Sequence, residues 1–411
     1  MPNYYLNSVS GDDANDGLSE LRPWRTLAKL SDAPIQPGDS VRLQGGATFP
    51  GNIDWFWKNI GDGVRPITLG SYGVGKFTIA SSVSRPGFFY AGLGGIVLEN
   101  AKFQGQYGDP KIGGVVIEPA DKDCRNVRLT DVEAFGYGLG GVVIQSVQGL
   151  RVERGNFHRN VNGLFLSQCV DVEILNTHGD ENDYLGPLRE DLQAANGIGV
   201  FWSKDVSIYR CQANRNGLRT IGSGGHAGIF VSDSDRCKVH RSEAHGNGDA
   251  TGQDGQGICL YGCRDSEIAD YCLATGNLNA GLCLFHDDHT PFVERCEIRD
   301  SVATGSLCDL SIVGTVLDSA IHGNRIYSTR HKAFDIADHD GGSYYRRNVK
   351  IYGNDFHAVA GNYLLVAVPG LAGVEGLTAN GWHSPEAEPF LVRGRGYAKI
   401  DVALAMEPVG I

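Results

Sequence analysis

Apolar and polar residues alternate at period two through much of this chain, in short runs that end in polar or glycine-rich turns. Such runs read as strands with one buried face. One phrase recurs: Gly163-Leu164-Phe165-Leu166, Gly197-Ile198-Gly199-Val200, Gly228-Ile229-Phe230-Val231, Gly257-Ile258-Cys259-Leu260 and Gly281-Leu282-Cys283-Leu284. Its starts lie 34, 31, 29 and 24 residues apart. A constant strand joined by loops of changing length is the pattern of a coil stacked on copies of itself. A second strand carries Leu150 and Val152, Val172 and Ile174, Val206 and Ile208, Cys237 and Val239, Ile268, and Val349 and Ile351 inward. A third, shorter strand does the same with Ala213, Ala244 and Ala303. Asn and Gly close the segments, as expected where a chain turns with positive φ.

Three short strands per turn predict an all-β parallel β-helix in a single domain. Neighbouring coils would lie about 4.8 Å apart, so roughly ten coils would span about 50 Å. Residues 1–40 read as an N-terminal entry and cap, with a short amphipathic helix in the segment PWRTLAKLSDA. Residues 41–375 read as the coils, and 376–411, where the repeat is lost, as a closing segment. Caps are expected because an open end is an exposed strand edge.

The segments YYLNSVSGDDANDGLSELRPWRTLAKL, PGDSVRLQGG and RPITLGSYGVGKFTI cover Tyr4 to Ile79. They resemble the opening of bacterial right-handed β-helix proteins of the pectate-lyase-like superfamily. The resemblance implies a right-handed coil and a carbohydrate-active protein, extracellular or periplasmic. It does not fix the reaction, because the superfamily includes lyases, glycoside hydrolases, uronate epimerases and phage depolymerases. The N-terminus shows no signal peptide, which keeps a virion or cytoplasmic setting open. A monomer or a homotrimer fits the resemblance.

The net charge of −12 argues against nucleic acid as a partner and means that a polyanionic substrate would need local cations or a metal. No apolar run is long enough for a membrane helix. The ten cysteines show no metal-type C-x2-C spacing. Cys259 and Cys283, like Cys211 and Cys272, recur at equivalent places and read as small packing residues.

Chemistry is expected where loops lengthen over successive coils, at 177–196, 214–227 and 245–256. Beneath them, the outward positions of the Gly-Ile strands form a column of Phe165, Gly199, Phe230, Cys259, Cys283, Ser311 and Asp335. The next row holds Phe201, Ser232, Tyr261 and Phe285. Phe201, Phe230, Tyr261 and Phe285, with Trp202 beside them, form either a sugar-stacking platform or a face buried by the loops. Three polar groups lie near: Asp249, Gln253 and Asp254 with Arg219 and His226; His286, Asp287, Asp288 and His289; and Arg330, His331, Lys332 and Asp335 with Asp338, His339 and Asp340.

The leading reading is β-elimination on an acidic, uronate-containing polysaccharide. The base is His226 or Lys332, Arg219 neutralises the substrate carboxylate, and Asp249, Asp254, Asp287 or Asp288 holds substrate or Ca²⁺. Phe201, Trp202, Phe230, Tyr261, Phe285, His286 and Asp335 are expected to contact the sugar. No organic cofactor is implied. Loss of Asp254 or His226 is expected to abolish activity and spare the melting transition. The second reading is a glycoside hydrolase with paired carboxylates, Asp254 with Asp249, Glu181 or Asp183. The third is a non-catalytic glycan-binding or tailspike-type β-helix. Epimerisation is set aside because the Asp-Pro-His signature of those relatives does not occur.

Overall fold

The computed structural model describes residues 2–55, 61–82, 84–92, 94–107, 111–119, 124–183, 195–220, 226–252, 254–338, 344–368 and 370–406. Gln253, His339, Asp340 and the loop segments 184–194 and 221–225 lie outside the described residues. The chain divides into two compact units, Met1–Leu188 with Ser203–Val206, and Arg189–Trp202 with Ser207–Ile411.

In the first unit, period-two alternation becomes a wall of stacked apolar side chains. Tyr4, Val41, Leu69, Leu98, Leu129, Val152 and Ile174 stand opposite one another in consecutive parallel pairings. All are buried, at roughly 1.5–3 kcal/mol for each large aliphatic side chain removed from water. The first of these strands, Asn3–Leu6, pairs in parallel with Ser40–Gln44, so the entry segment is itself part of the sheet. Between them lies a five-residue α-helix, Ala28–Asp32, which buries Leu30. The Trp24 ring stacks on Tyr4 at 5.4 Å.

The second unit shows the coil plainly. Strands Ala227–Ser232, Asp235–His240 and Glu243–His245 make one turn, and Gln256–Tyr261 begins the next. The Gly-Ile sheet of this unit runs through Ile198–Phe201, Ala227–Ser232, Gln256–Tyr261, Ala280–Phe285, Cys308–Val313, Lys332–Ala337, Tyr363–Ala367 and Phe390–Val392, each parallel to the next. Ile198, Ile229, Ile258, Leu282, Leu310, Phe334 and Leu365 share one inward column and are buried. Gly199, Phe230, Cys259, Cys283, Ser311 and Asp335 share the adjacent outward column. Phe390–Val392 then pairs antiparallel with Arg395–Tyr397, and the α-helix Ile400–Met406 follows.

Two corner devices hold the coils in register. The first is an asparagine ladder. Asn247 Oδ1 accepts the Asn216 N–H at 3.0 Å and its Nδ2 at 2.9 Å, and Asn277 Oδ1 does the same for Asn247 at 3.0 and 2.8 Å. A second ladder joins Asn324, Asn354 and Asn380. The turn itself is made by the residue before, Gly246 at φ 61° and Gly276 at φ 61°. At these two corners glycine supplies the positive φ, before Asn216 it is Arg215 that does so at φ 57°, and asparagine supplies paired amide hydrogen bonds between coils.

The second device uses serine and cysteine interchangeably. Cys211 N–H donates to Ser242 Oγ at 3.1 Å, Cys237 N–H to Ser266 Oγ at 2.9 Å, and Cys296 N–H to Ser319 Oγ at 3.0 Å. Each side chain in turn donates to the carbonyl two residues back, as Ser242 Oγ to His240 O at 2.9 Å and Cys211 Sγ to Tyr209 O at 3.5 Å. All ten cysteines are free and buried.

Candidate functional site

The outward face of the Gly-Ile sheet in the second unit carries a run of rings. Successive centroids are 5.9 Å apart for Trp202–Phe201, 5.7 Å for Phe201–Phe230, 5.4 Å for Phe230–Tyr261 and 4.9 Å for Tyr261–Phe285. Register explains the run: Phe201, Ser232, Tyr261 and Phe285 occupy one outward row, with Phe230 filling the place beside Ser232. The face is divided. Phe230, Cys259, Cys283, Ala227 and Ala280 form a buried apolar patch, while Phe201, Tyr261 and Phe285 are half-buried at its margin. Trp202 is 57% exposed.

Acidic groups gather at the strand ends beside these rings. The Tyr261 hydroxyl donates to Asp287 Oδ2. Burial, reinforced by that carboxylate, pushes the Tyr261 hydroxyl well above its ordinary value, so it remains a donor. Asp287 is buried and its Oδ1 also accepts the His289 N–H at 2.8 Å. Asp233 sits at the end of the neighbouring strand, where its N–H donates to Tyr261 O at 2.9 Å. Burial raises the Asp233 carboxyl, the Ser232 hydroxyl at 2.6 Å offsets part of that, and the Asp287 charge raises it further. Gly262 follows Tyr261 in this corner. A Cβ there would lie 2.8 Å from the Thr290 Cβ, so the bare glycine lets the 287–290 turn close over the strand end. His286 is buried, its Nδ1 accepts the Thr315 N–H at 3.1 Å, and burial lowers its pKa. Asp288 is exposed.

The group around 226–254 is knitted into the fold. His226 is fully buried, and its Nδ1 accepts the Ala195 N–H at 3.0 Å. Asp254 accepts the His226 N–H at 3.1 Å, the Gly255 N–H at 2.8 Å and the Gln256 side-chain amide at 2.5 Å. Asp249 accepts from Thr251 Oγ1 at 2.6 Å, Gly252 N–H at 2.6 Å and Asp254 N–H at 3.2 Å, which is the turn chemistry of an aspartate beside glycine. Arg219 is exposed in the turn after Gly217. The 214–220 and 245–252 loops do stack, through Gly248 N–H to Asn216 O and Ala250 N–H to Thr220 O, each 3.0 Å.

Lys332 and Asp335 form a separate pair. Lys332 Nζ lies 2.7 Å from Asp335 Oδ2, and burial raises the Asp335 carboxyl against the opposing charges of Lys332, His331 and Arg346. Asp335 Oδ1 has no hydrogen-bond partner among the described residues. Gln256, beside Asp254, and Lys332 occupy the same outward row three strand steps apart, about 14 Å at the backbone. The structure thus brings His226, Asp249 and Asp254 together but holds Lys332 away from them.

Two features escaped the sequence reading. Asp233 was one turn aspartate among many, and only its alignment with Tyr261 marks it. Arg125, Arg128 and Arg151 line an open groove on the first unit with Gln148, Asp171 and Glu173, and their clustering comes from coil stacking rather than from adjacency in the chain.

The family of right-handed β-helix regions matches residues 86–298 and 220–367, and the chain belongs to that family. The coil is accordingly right-handed. Among curated proteins, the lacto-N-biosidase of Bifidobacterium longum subsp. longum is 42% identical over 84 residues, 19% of this chain and 5% of the biosidase. This chain therefore matches only a small part of that relative's length. Among solved structures, the A-module of the Azotobacter vinelandii mannuronan C-5 epimerase AlgE4 shares the fold, with a TM-score of 0.50 and 14% identity over 84% of this chain and 90% of the module. A GH136 lacto-N-biosidase from Eubacterium ramulus aligns with a TM-score of 0.35 and 16% identity over 95% of this chain and 67% of that one.

Proposed function

We propose that this chain is a carbohydrate-active β-helix protein that binds a glycan along the Trp202–Phe285 rings and hydrolyses a glycosidic bond with two carboxylates. The observation that carries this reading is the grouping of Asp233, Tyr261 and Asp287 at the end of the ring row. Asp233, whose carboxyl is raised by burial and by the neighbouring Asp287 charge, is the general acid. Asp287, whose oxygens accept from the Tyr261 hydroxyl and the His289 N–H, activates the attacking water. The two sit two coils apart, about 10 Å at the backbone, which suits the wide spacing of an inverting pair better than the narrow one of a retaining pair. The 42% identity to a lacto-N-biosidase supports a hydrolase. The β-elimination roles of His226 and Lys332 gain less support, because His226 is fully buried and Lys332 stands three strand steps away along the sheet.

The test is a glycan screen read three ways: new reducing ends, ultraviolet absorbance of an unsaturated uronate, and retention without turnover. Hydrolysis predicts reducing ends without that absorbance, inverted at the new anomeric centre, and insensitive to calcium chelation. Asp233→Asn and Asp287→Asn should each lower kcat by at least about 100-fold while circular dichroism stays unchanged. An absorbing product would replace this mechanism with elimination.

A further inference from the structure

Among the described residues, one set of three His, Cys, Asp or Glu side chains brings its donor atoms within 4.8 Å of one another: Asp355, His357 and His383. They come from consecutive coils. Asp355–Ala358 pairs in parallel with Gly381–His383, which places His357 opposite His383 and Asp355 opposite Gly381. The two imidazoles stack at 4.4 Å and 16°, and Tyr327 stacks on His357 at 4.9 Å from the coil before. Stacking aligns the rings so that both Nε2 atoms face one carboxylate, His357 to Asp355 Oδ2 and His383 to Asp355 Oδ1, each at 2.9 Å.

The scaffold around this group is rigid. The Asn324–Asn354–Asn380 ladder immediately precedes both strands, and Trp382 stacks flat on the buried Phe356 at 4.4 Å. Gly381 supplies the space. A Cβ at that position would lie 2.8 Å from Asp355 Oδ1 and 3.1 Å from His383 Nε2. A side chain is missing at the one position where it would fill the cradle. The group also opens to water, since the His383 side chain is 56% exposed.

We propose that Asp355, His357 and His383 bind one divalent transition-metal ion of the zinc type and pin the 381–383 strand to the coil before it. Two imidazole nitrogens and one carboxylate oxygen, with further positions open to solvent, suit Zn²⁺, Ni²⁺ or Cu²⁺ and not the all-oxygen preference of Ca²⁺ or Mg²⁺. The ten thiols do not compete in the native state because all are buried. Each ligand's loss should weaken binding by at least about tenfold, the scale on which even supporting residues act.

The experiment uses the untagged full chain, stripped with chelator and titrated with Zn²⁺ by calorimetry. One ion per chain is expected, with a Tm that rises with Zn²⁺ concentration, while Ca²⁺ gives neither response. His383→Ala and Asp355→Asn should each lose the binding and the Tm response, and His245→Ala should keep both. Gly381→Ala provides an independent arm, since it leaves all three ligands in place and fills the cradle. It should weaken Zn²⁺ binding at unchanged circular dichroism. Absence of saturable binding by the wild-type chain, or equal binding by the His357→Ala/His383→Ala double variant, would overturn the site.

Discussion

At the scale of single residues, burial separates side chains that look alike in the sequence. His226 is fully enclosed and accepts a backbone N–H, so its loss strands that donor and opens a cavity. His226→Ala should lower stability by about 2–4 kcal/mol, read as a shift in the denaturation midpoint. The expectation that this position can be changed without touching the melting transition gives way to that outcome. Trp202, 57% exposed, should behave oppositely: Trp202→Ala leaves Tm within about 1 °C and weakens glycan retention. Asp309 occupies the place that glycine holds in the preceding Gly-Ile strands. It is fully buried, Oδ1 accepts the Ser306 N–H at 2.8 Å, and Oδ2 has no partner among the described residues. Burial pushes its carboxyl up to about 7. The folded state therefore keeps a proton that the unfolded chain has already released, and stability falls as pH rises from the ordinary carboxylate range to about 7. The slope is at most about 1.4 kcal/mol per pH unit. Asp309→Asn should flatten that slope and raise Tm at pH 8 more than at pH 5.

At the scale of elements, the corners carry the specificity. Asn247 both donates to and accepts from neighbouring coils, so Asn247→Ala breaks the ladder in two directions and should cost about 3 kcal/mol or more. Cysteine is dispensable where serine does the same job. Cys272 donates to Val239 O at 3.2 Å and Ala269 O at 3.3 Å, so Cys272→Ser should cost under about 1 kcal/mol. Cys259 lies in the apolar patch with Phe230 and Cys283, so Cys259→Ser buries a hydroxyl there and should cost about 1–3 kcal/mol. Chemical denaturation of the paired variants measures both. Burial also pushes the Cys272 and Cys296 thiols up to about 12. A thiol reagent should therefore label none of the ten cysteines in the native protein and all ten after unfolding.

At the scale of the whole molecule, the all-β coil and its parallel register were legible in the chain, while the site was legible only in part. The outward column Gly199, Phe230, Cys259, Cys283, Ser311, Asp335 follows from period-two counting alone, because a strand's faces alternate without regard to what packs on them. The same counting put Phe201, Tyr261 and Phe285 in one row. It could not say that Phe230 is buried while Trp202 is 57% exposed, since that depends on which side chains of successive coils pack against each ring. Nor could it lift Asp233 above the other turn aspartates, or see that Asp249 accepts from donors of its own turn while Asp254 also accepts the His226 N–H of the coil before. The amino-acid sequence by itself determined the strands, their inward faces and the coil they build, because these depend on local alternation and on repeats. The tertiary structure alone decided which carboxylates meet across coils and which histidines are sealed, because such meetings are set by stacking between residues one or two coils apart in the chain.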